Sequence, residues 1–268
     1  MEWVYIAVGC VSGVLLLAAF VWFSNNFIGV SRYEAESAKA PEREVKIVHL
    51  SDLHGKSFGR GNARLLKKVK ALSPDFIAVT GDIIHKYRGR DIDVALTALS
   101  ELVKLAPVYY VSGNHEMRST RYRGLKEKIK ETGARVLDNE SESAFGITVA
   151  GVNCADIKRG KFYGLAEGGE FKLLLAHLPQ YIARYAAAGY DLTLCGHAHG
   201  GQWRIPFTEI GVFAPGQGLF PKYACGEHRC GDMREIISRG LGNSECPLRL
   251  FNRPEVVVVT VKRPETKE

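Results

Sequence analysis

Five short blocks of the chain carry groups that bind cations or move protons: Asp52-x-His54, Gly81-Asp82, Gly113-Asn114-His115-Glu116, a lone His177, and Gly196-His197-Ala198-His199. Carboxylate, carboxamide and imidazole together make a hard-to-borderline ligand set suited to Mn, Fe or Zn. One divalent ion would use about four of these groups, and two ions sharing a carboxylate would use about seven. The bland alternative is a set of unrelated Asp and His residues capping turns. It would have to hold independently at every block, because a buried carboxylate without a partner costs several kcal/mol. Two cysteine features are set aside. Cys225-x-x-His228-x-Cys230 fits no standard zinc spacing and reads as a plain loop. Cys195, at the end of a strand-like run, reads as a packing residue rather than a nucleophile.

Each block falls at or just after the end of an apolar run, and this identifies the elements that must position it. Val45–Leu50, Phe76–Thr80 and Pro107–Val111 read as strands, and Asn62–Leu72, Ile92–Leu105 and Arg121–Thr132 as helices. In the second helix Ile92, Ala95, Leu96, Leu99, Leu102 and Val103 share one face. Such alternation predicts right-handed parallel crossovers, with three strand ends side by side at one sheet edge. Alternate strand positions face the same way, so Asp52 and His54 can point together at one spot. Beyond Gly133 the texture changes. Ala134–Leu137, Ile147–Val152 and Phe171–Ala176 are strand-like with little helix between them. A short helix over Gln180–Ala188 leads to a strand at Asp191–Cys195, and Glu255–Lys262 is a closing core strand. The expected fold class is α/β: a four-layer α/β/β/α sandwich of two packed mixed sheets flanked by helices, preceded by one transmembrane helix.

In this order the blocks resemble the calcineurin-like metallophosphoesterase superfamily, from about Val45 to Lys262. The apolar N-terminus, the Gly-His-Ala-His-Gly-Gly-Gln202 run and the late stretch through Arg239, Asn243, Arg249, Asn252, Arg253 and Glu255 resemble its membrane-anchored YkuE/YaeI-like phosphodiesterase branch. The resemblance implies one metal held by Asp52, His54, Asp82 and His199, and a second held by Asp82, Asn114, His177 and His197. Asp82 would bridge ions about 3.5–4 Å apart. Manganese is favoured over Fe or Zn. The implied reaction is hydrolysis of a phosphodiester or pyrophosphate bond by metal-activated hydroxide. His115 would stabilise the leaving oxygen or protonate it. Where the family usually has an acid three residues after the bridging Asp, this chain has His85, read either as a substrate contact or as a polar loop residue.

At 268 residues and 46% apolar the chain can bury one full-sized core, and its net charge of +7 favours anionic partners. The six cysteines show no disulfide-framework spacing, which slightly favours a reducing compartment. Trp3–Phe23 contains no charged residue. As a helix it would span about 31 Å, enough to cross a bilayer. No basic residue precedes the run and no A-x-A site follows it, so it reads as a retained anchor rather than a cleaved signal. Arg32, Lys39 and Arg43 on its C-terminal side place the bulk of the protein at the cytoplasmic face of the cell membrane. The organisation expected is an anchor over 1–23, a polar linker over 24–44 and a catalytic domain over 45–268.

Basic residues gather after the first three strands: Lys56, Arg60 and Arg64; Lys86, Arg88 and Arg90; Arg118, Arg121 and Arg123. They read either as a solvated surface or as a rim for a second phosphate or anionic lipid, with Arg118 and Arg121 as substrate candidates. Arg249 and Arg253 read equally as structural ion-pair residues and as substrate contacts. An anchor so close to the catalytic domain admits a lipid-linked substrate: some anchored members of the family that the chain resembles cleave the pyrophosphate of UDP-2,3-diacylglucosamine, and others are general phosphodiesterases. A nuclease or nucleotide phosphodiesterase is the runner-up, although no aromatic strand face is available for stacking bases and no specific nucleic acid is expected. The reading from another class is a catalytically silent metal-binding scaffold, against which the presence of His115 argues.

Overall fold

Within Val45–Leu50, Val45 and Ile47 pack on one side of a sheet while Val48 and Leu50 pack on the other. Glu255–Lys262 behaves alike: Val257, Val259 and Val261 face one core, Val256 and Val258 the other. Strands covered on both faces carry apolar residues at both odd and even positions, and layering is the cause. A computed structural model, describing residues 1–85, 89–118, 121–243 and 246–264, shows these layers directly.

The first sheet has six strands in the spatial order Gly29–Glu36, Glu255–Lys262, Val45–Leu50, Phe76–Val79, Val108–Tyr110, Arg135–Val136. From Val45–Leu50 onward its pairings are parallel. The second sheet runs Gly226–Cys230, Met233–Ile237, Leu192–Cys195, Phe171–Leu175, Ile147–Gly151, Glu140–Ala144. Its middle is parallel and both edge pairs are antiparallel. One core lies between the sheets, where Ile47 and Phe76 belong to the same cluster as Leu173 and Leu194. Helices Ala63–Leu72, Gly89–Leu102 and Tyr122–Glu131 cover the outer face of the first sheet through Leu65, Val69, Leu99 and Leu125. Ile157, Ile182 and Tyr185 cover the outer face of the second. The architecture is the expected four-layer sandwich of two mixed sheets flanked by helices.

The structure departs from expectation mainly at sheet edges. The stretch 24–44, expected as a linker, contains the eight-residue strand Gly29–Glu36, paired in parallel with Glu255–Lys262 along its whole length. Its Arg32, Glu34 and Glu36 are exposed, and Lys262 Nζ lies 2.9 Å from Glu34 and 3.5 Å from Glu36. An edge strand this polar has no local apolar signature, and the segment it pairs with is remote in the chain. For the same reason Glu140–Ala144 went unrecognised, and Cys225–Cys230, expected as a loop, is largely a hairpin strand paired with Met233–Ile237.

The N-terminal helix runs Glu2–Asn26, and an 18-residue stretch within it has a mean hydropathy of 2.5. Its length and composition suffice to cross a membrane.

Candidate metal centre

Loops leaving the C-terminal ends of five parallel strands meet across the two sheets, and glycines allow the contact. A Cβ on Gly196 would lie 1.9 Å from Ser51 Oγ and 2.3 Å from Asp52 Oδ2; one on Gly113 would lie 2.2 Å from Asp82 Oδ1. Five of the expected ligands hold a left-handed backbone: Asp52 (φ 52°), His54 (49°), Asp82 (51°), His197 (67°) and His199 (50°). An L residue in that region costs roughly 1–2 kcal/mol. Cross-loop hydrogen bonds offset this. Asp52 N donates to Gly81 O and His54 N to Asp82 O, each at 3.0 Å, and Gly242 N donates to Asp52 O at 2.6 Å.

All seven expected ligands converge, in two groups. In one, His54 Nε2 and His199 Nε2 are 3.0 Å apart, and Asp52 Oδ1 is 3.8 and 3.4 Å from them. In the other, His177 Nε2 lies 3.2 Å from each of Asp82 Oδ2, Asn114 Oδ1 and His197 Nδ1. Asp82 Oδ2 is also 3.9 Å from His54 Nε2, so this carboxylate stands between the groups. Both Asp side chains are fully buried.

The backbone sets the imidazole tautomers. His177 Nδ1–H donates to Thr80 O at 2.7 Å, which turns Nε2 inward. His115 Nδ1–H donates to His85 O at 2.6 Å and turns its Nε2 towards Asp82 Oδ2, 3.9 Å away. A backbone carbonyl thus orients His115, a task that needs no acid at position 85. The His85 ring stacks on His115 (centroids 5.3 Å) and meets His54 edge-on (5.5 Å), so this residue lines the centre rather than an outer loop.

Sequence reasoning gave Glu116 no role, yet it is buried and ties two ligand loops together. Its Oε2 accepts from Asp82 N and Gly113 N, both at 2.8 Å, and its Oε1 from Ile84 N at 3.2 Å. The only signal was its place in the Gly-Asn-His-Glu run. Burial, then the neighbouring Asp82, pushes its carboxyl up to about 7. Burial opposes charge on His177 too, but Asp82 and Asp52 outweigh it and raise that imidazole to about 10. Burial, followed by His177, lowers His197 to about 4. Burial and the adjoining His54 and Arg249 hold His199 well below its usual value. Asp52 and Asp82 are driven low, against burial, by the surrounding imidazoles.

The donor set therefore fits divalent cations. Two buried anionic carboxylates face five imidazoles, and His54 Nε2 and His199 Nε2 point at each other at 3.0 Å, an arrangement that a cation between lone pairs satisfies. The groups open to a cleft of about 210 Å³ lined by Asp82, Asn114, His115, Arg118, Phe213 and Pro215, with His197 and His199.

Of the basic residues singled out, Arg118 lines this cleft. Lys56 instead donates to Asn25 O at the end of the N-terminal helix, and Arg60 lines a separate groove with Asp93. Arg64, Arg90, Arg121 and Arg123 are exposed at helix starts; Lys86 and Arg88 lie outside the described residues. Arg249 is wholly buried behind His199, its guanidinium held by carbonyls rather than by an acid, and Arg253 stacks on Phe23 and Phe27.

Burial, then the Glu235 carboxyl 3.6 Å away, pushes the Cys195 thiol up, so it is an inert packing group. Glu235 itself is raised well above the carboxylate range by burial. The unfolded chain releases this proton near pH 4.5 while the folded chain keeps it, so this residue's contribution to stability is lost as pH rises. Glu235→Gln should therefore gain on the wild type in thermal midpoint as pH goes from about 5 to 8. A constant offset across that range would contradict a protonated Glu235.

Comparison with known proteins gives a consistent picture. The sequence profile for calcineurin-like phosphoesterases matches residues 45–201. A metallophosphoesterase of Aquifex aeolicus is 30% identical over 266 residues, 92% of this chain and 97% of that protein. The metallophosphoesterase YkoQ of Bacillus subtilis is 30% identical over 264 residues, 91% of this chain and 95% of the other. Phosphodiesterase YaeI of Escherichia coli is 31% identical over 228 residues, 80% of this chain and 81% of its own length.

Proposed function

The chain belongs to the calcineurin-like phosphoesterase family, and from this premise we propose that it is a membrane-anchored, two-metal phosphohydrolase acting on a phosphodiester or pyrophosphate bond. That it is a metal-dependent phosphoesterase follows from the family; the bond, the ion count and the anchoring are our reading. The observation that carries the two-ion reading is the Asp82 carboxylate, 3.2 Å from His177 Nε2 and 3.9 Å from His54 Nε2. Asp52, His54, Asp82 and His199 would hold one ion, and Asp82, Asn114, His177 and His197 the other. Bound ions of this kind lower the pKa of water and neutralise phosphoryl oxygens, and Mn is the ion we would supply first. The chain's own groups do the rest. His115, oriented by the His85 carbonyl, presents Nε2 to the cleft to stabilise the leaving oxygen or hand it a proton. The Arg118 guanidinium lines the same cleft and offers a planar pair of donors to non-reacting phosphoryl oxygens.

Because His115 leans on a carbonyl, His85 and His115 should behave differently when truncated. His115→Ala should lower kcat by about 10²–10⁴-fold, whereas His85→Ala should stay within about tenfold of wild type. Equal losses in both variants would place the orienting role on the His85 imidazole.

The apolar helix entering the domain supports a lipid-linked phosphoester substrate, UDP-2,3-diacylglucosamine being the case to try, and Arg32, Lys39 and Arg43 support a cytoplasmic catalytic domain. The name of the YaeI relative supports the diester reading. The test is turnover by the full-length protein with Mn in detergent micelles, comparing the lipid nucleotide with a small chromogenic phosphodiester in wild type and His115→Ala. UMP release that depends on His115 would establish a lipid pyrophosphatase. Cleavage of the small diester alone would keep the chemistry and discard the lipid nucleotide. Inertness towards both, with metal bound, would overturn the diester and pyrophosphate reading.

A further inference from the structure

Apart from Phe145 and Tyr163, the large apolar side chains left uncovered by the catalytic domain lie in two segments, 203–220 and 248–251. Phe207 is fully exposed, and Leu219, Phe220, Ile210, Phe251 and Leu248 are each between 43% and 69% exposed. Hydrogen bonds join the segments bearing them into one surface. Trp203 Nε1 donates to Leu248 O (3.0 Å), Arg204 N to Leu250 O (3.1 Å), and Ile205 N to Ile210 O (3.0 Å). Val212 N donates to Trp203 O (2.8 Å) and Phe220 N to Val212 O (2.9 Å), while Phe213 pairs with Leu219.

At one margin this surface meets the N-terminal helix: the Phe251 and Phe20 rings lie 4.9 Å apart. Phe20 is inside the uncharged run. Seven residues further along, about 10 Å by helix rise, cations take over. Arg253 lies over Phe23 and Phe27 at 5.5 and 5.4 Å, and Lys68 over Phe27 at 5.7 Å. The helix end is also clamped. Asn25 Nδ2 donates to Arg249 O (3.2 Å), while Arg249 N (3.0 Å) and Asn243 Nδ2 (3.1 Å) donate to Asn25 Oδ1. The domain is therefore held in a fixed attitude to the helix rather than hung on a tether. Once the helix crosses a bilayer, the cations fall at headgroup level and Phe251 falls below it.

We propose that the Trp203–Phe220 segment, with Leu248 and Phe251, is a second membrane contact that lays the domain onto the bilayer surface. The proposal rests on the reading of the N-terminal helix as a membrane anchor. Its occupant is the lipid interface, since the surface continues without a break from a membrane-length helix and its cations occupy the headgroup level. The one acid at the Phe207 tip, Glu209, sits 4.0 Å from Arg204. Phe213 belongs both to this surface and to the lining of the metal cleft, so docking brings the cleft to the plane of the membrane. Substrate would then enter from the membrane plane.

The chain has three tryptophans, Trp3, Trp22 and Trp203, which allows a direct test. Full-length protein is reconstituted into phosphatidylcholine–phosphatidylglycerol vesicles with bromine on acyl carbons 6 and 7. Trp203 is followed alone in Trp3→Phe/Trp22→Phe, and Trp22 alone in Trp3→Phe/Trp203→Phe. The first pair of changes lies wholly on the exposed helix, so the domain's fold is untouched. Adding Phe207→Trp to it gives a reporter at the tip. Bromolipid should remove roughly half or more of the emission of Trp22, Trp203 and the tip reporter, as expected for groups about 5–10 Å into the interface. Quenching of Trp22 with Trp203 and the tip unquenched would overturn the docking surface and leave the anchor. If those two were unquenched yet shielded from iodide, a second copy of the chain would be the occupant. No quenching at any position would overturn the anchor and the surface together.

Discussion

Asp82→Asn is expected to lower kcat on any accepted phosphodiester by about 10³-fold or more, corresponding to roughly 4 kcal/mol of lost transition-state stabilisation. The substitution changes one atom. His115 N donates to Asp82 Oδ1 at 2.8 Å, and an amide oxygen accepts that bond as well. Asn tolerates the left-handed backbone at this position, so the loop keeps its course. What disappears is the anionic Oδ2, the atom 3.2 Å from His177 Nε2 and 3.9 Å from the Nε2 atoms of His54 and His115. Both ligand groups lose their shared negative charge, and an amide NH₂ is left facing imidazole nitrogens. Metal content by elemental analysis should fall along with turnover, while the far-UV spectrum stays unchanged. Full metal occupancy with wild-type turnover in the variant would end the bridging assignment.

Arg249→Met should give a large loss of stability from a single side chain outside the metal ligands. Arg249 heads the largest fully buried side chains among the described residues. Its Nε donates to Gly242 O and Asn243 Oδ1, both at 3.1 Å, its Nη1 donates to Arg239 O at 2.8 Å, and its Nη2 also reaches Gly242 O. Removing the guanidinium leaves these acceptors buried and unpaired and opens space behind His199. The expected cost is about 3–5 kcal/mol. For a chain of this size that is a fall in thermal midpoint of about 10 °C, measured by circular dichroism of the full-length protein in detergent. Arg249→Lys, which keeps charge but not the fork, should recover part of the loss. A midpoint within about 2 °C of wild type for Arg249→Met would mean that the pocket refills or hydrates without penalty. The substitution also bears on the metal centre, because Arg249 Nη2 lies 3.3 Å from His199 Nδ1.

What the sequence made legible is of two kinds. Residue chemistry at strand ends marked Asp52, His54, Asp82, Asn114, His177, His197 and His199, and the structure gathers all of them. Apolar residues crowded at Val45–Leu50, Phe76–Val79 and Val256–Val259 announced strands covered on both faces, and with them the layered sandwich. Both signals are local: a strand's period or a ligand's identity can be read within a few residues.

Tertiary structure alone decided the rest, because the energies concerned belong to pairs distant in the chain. Gly29–Glu36 is a strand by virtue of its register with Glu255–Lys262, and its own polar sequence gives no hint of one. The left-handed backbone at five ligands exists because neighbouring loops over-determine it, so no propensity of those residues could have announced it. Glu116 became a brace, and the His85 carbonyl an acceptor, only when the loops bearing Asp82 and His115 came within hydrogen-bond reach. Arg249 reads as one more basic residue until Gly242, Asn243 and Asn25 close around it. The chain encodes its ligands and layers locally, whereas the attitude of its apolar helix and the orientation of its imidazoles follow from contacts that form only when the fold is complete.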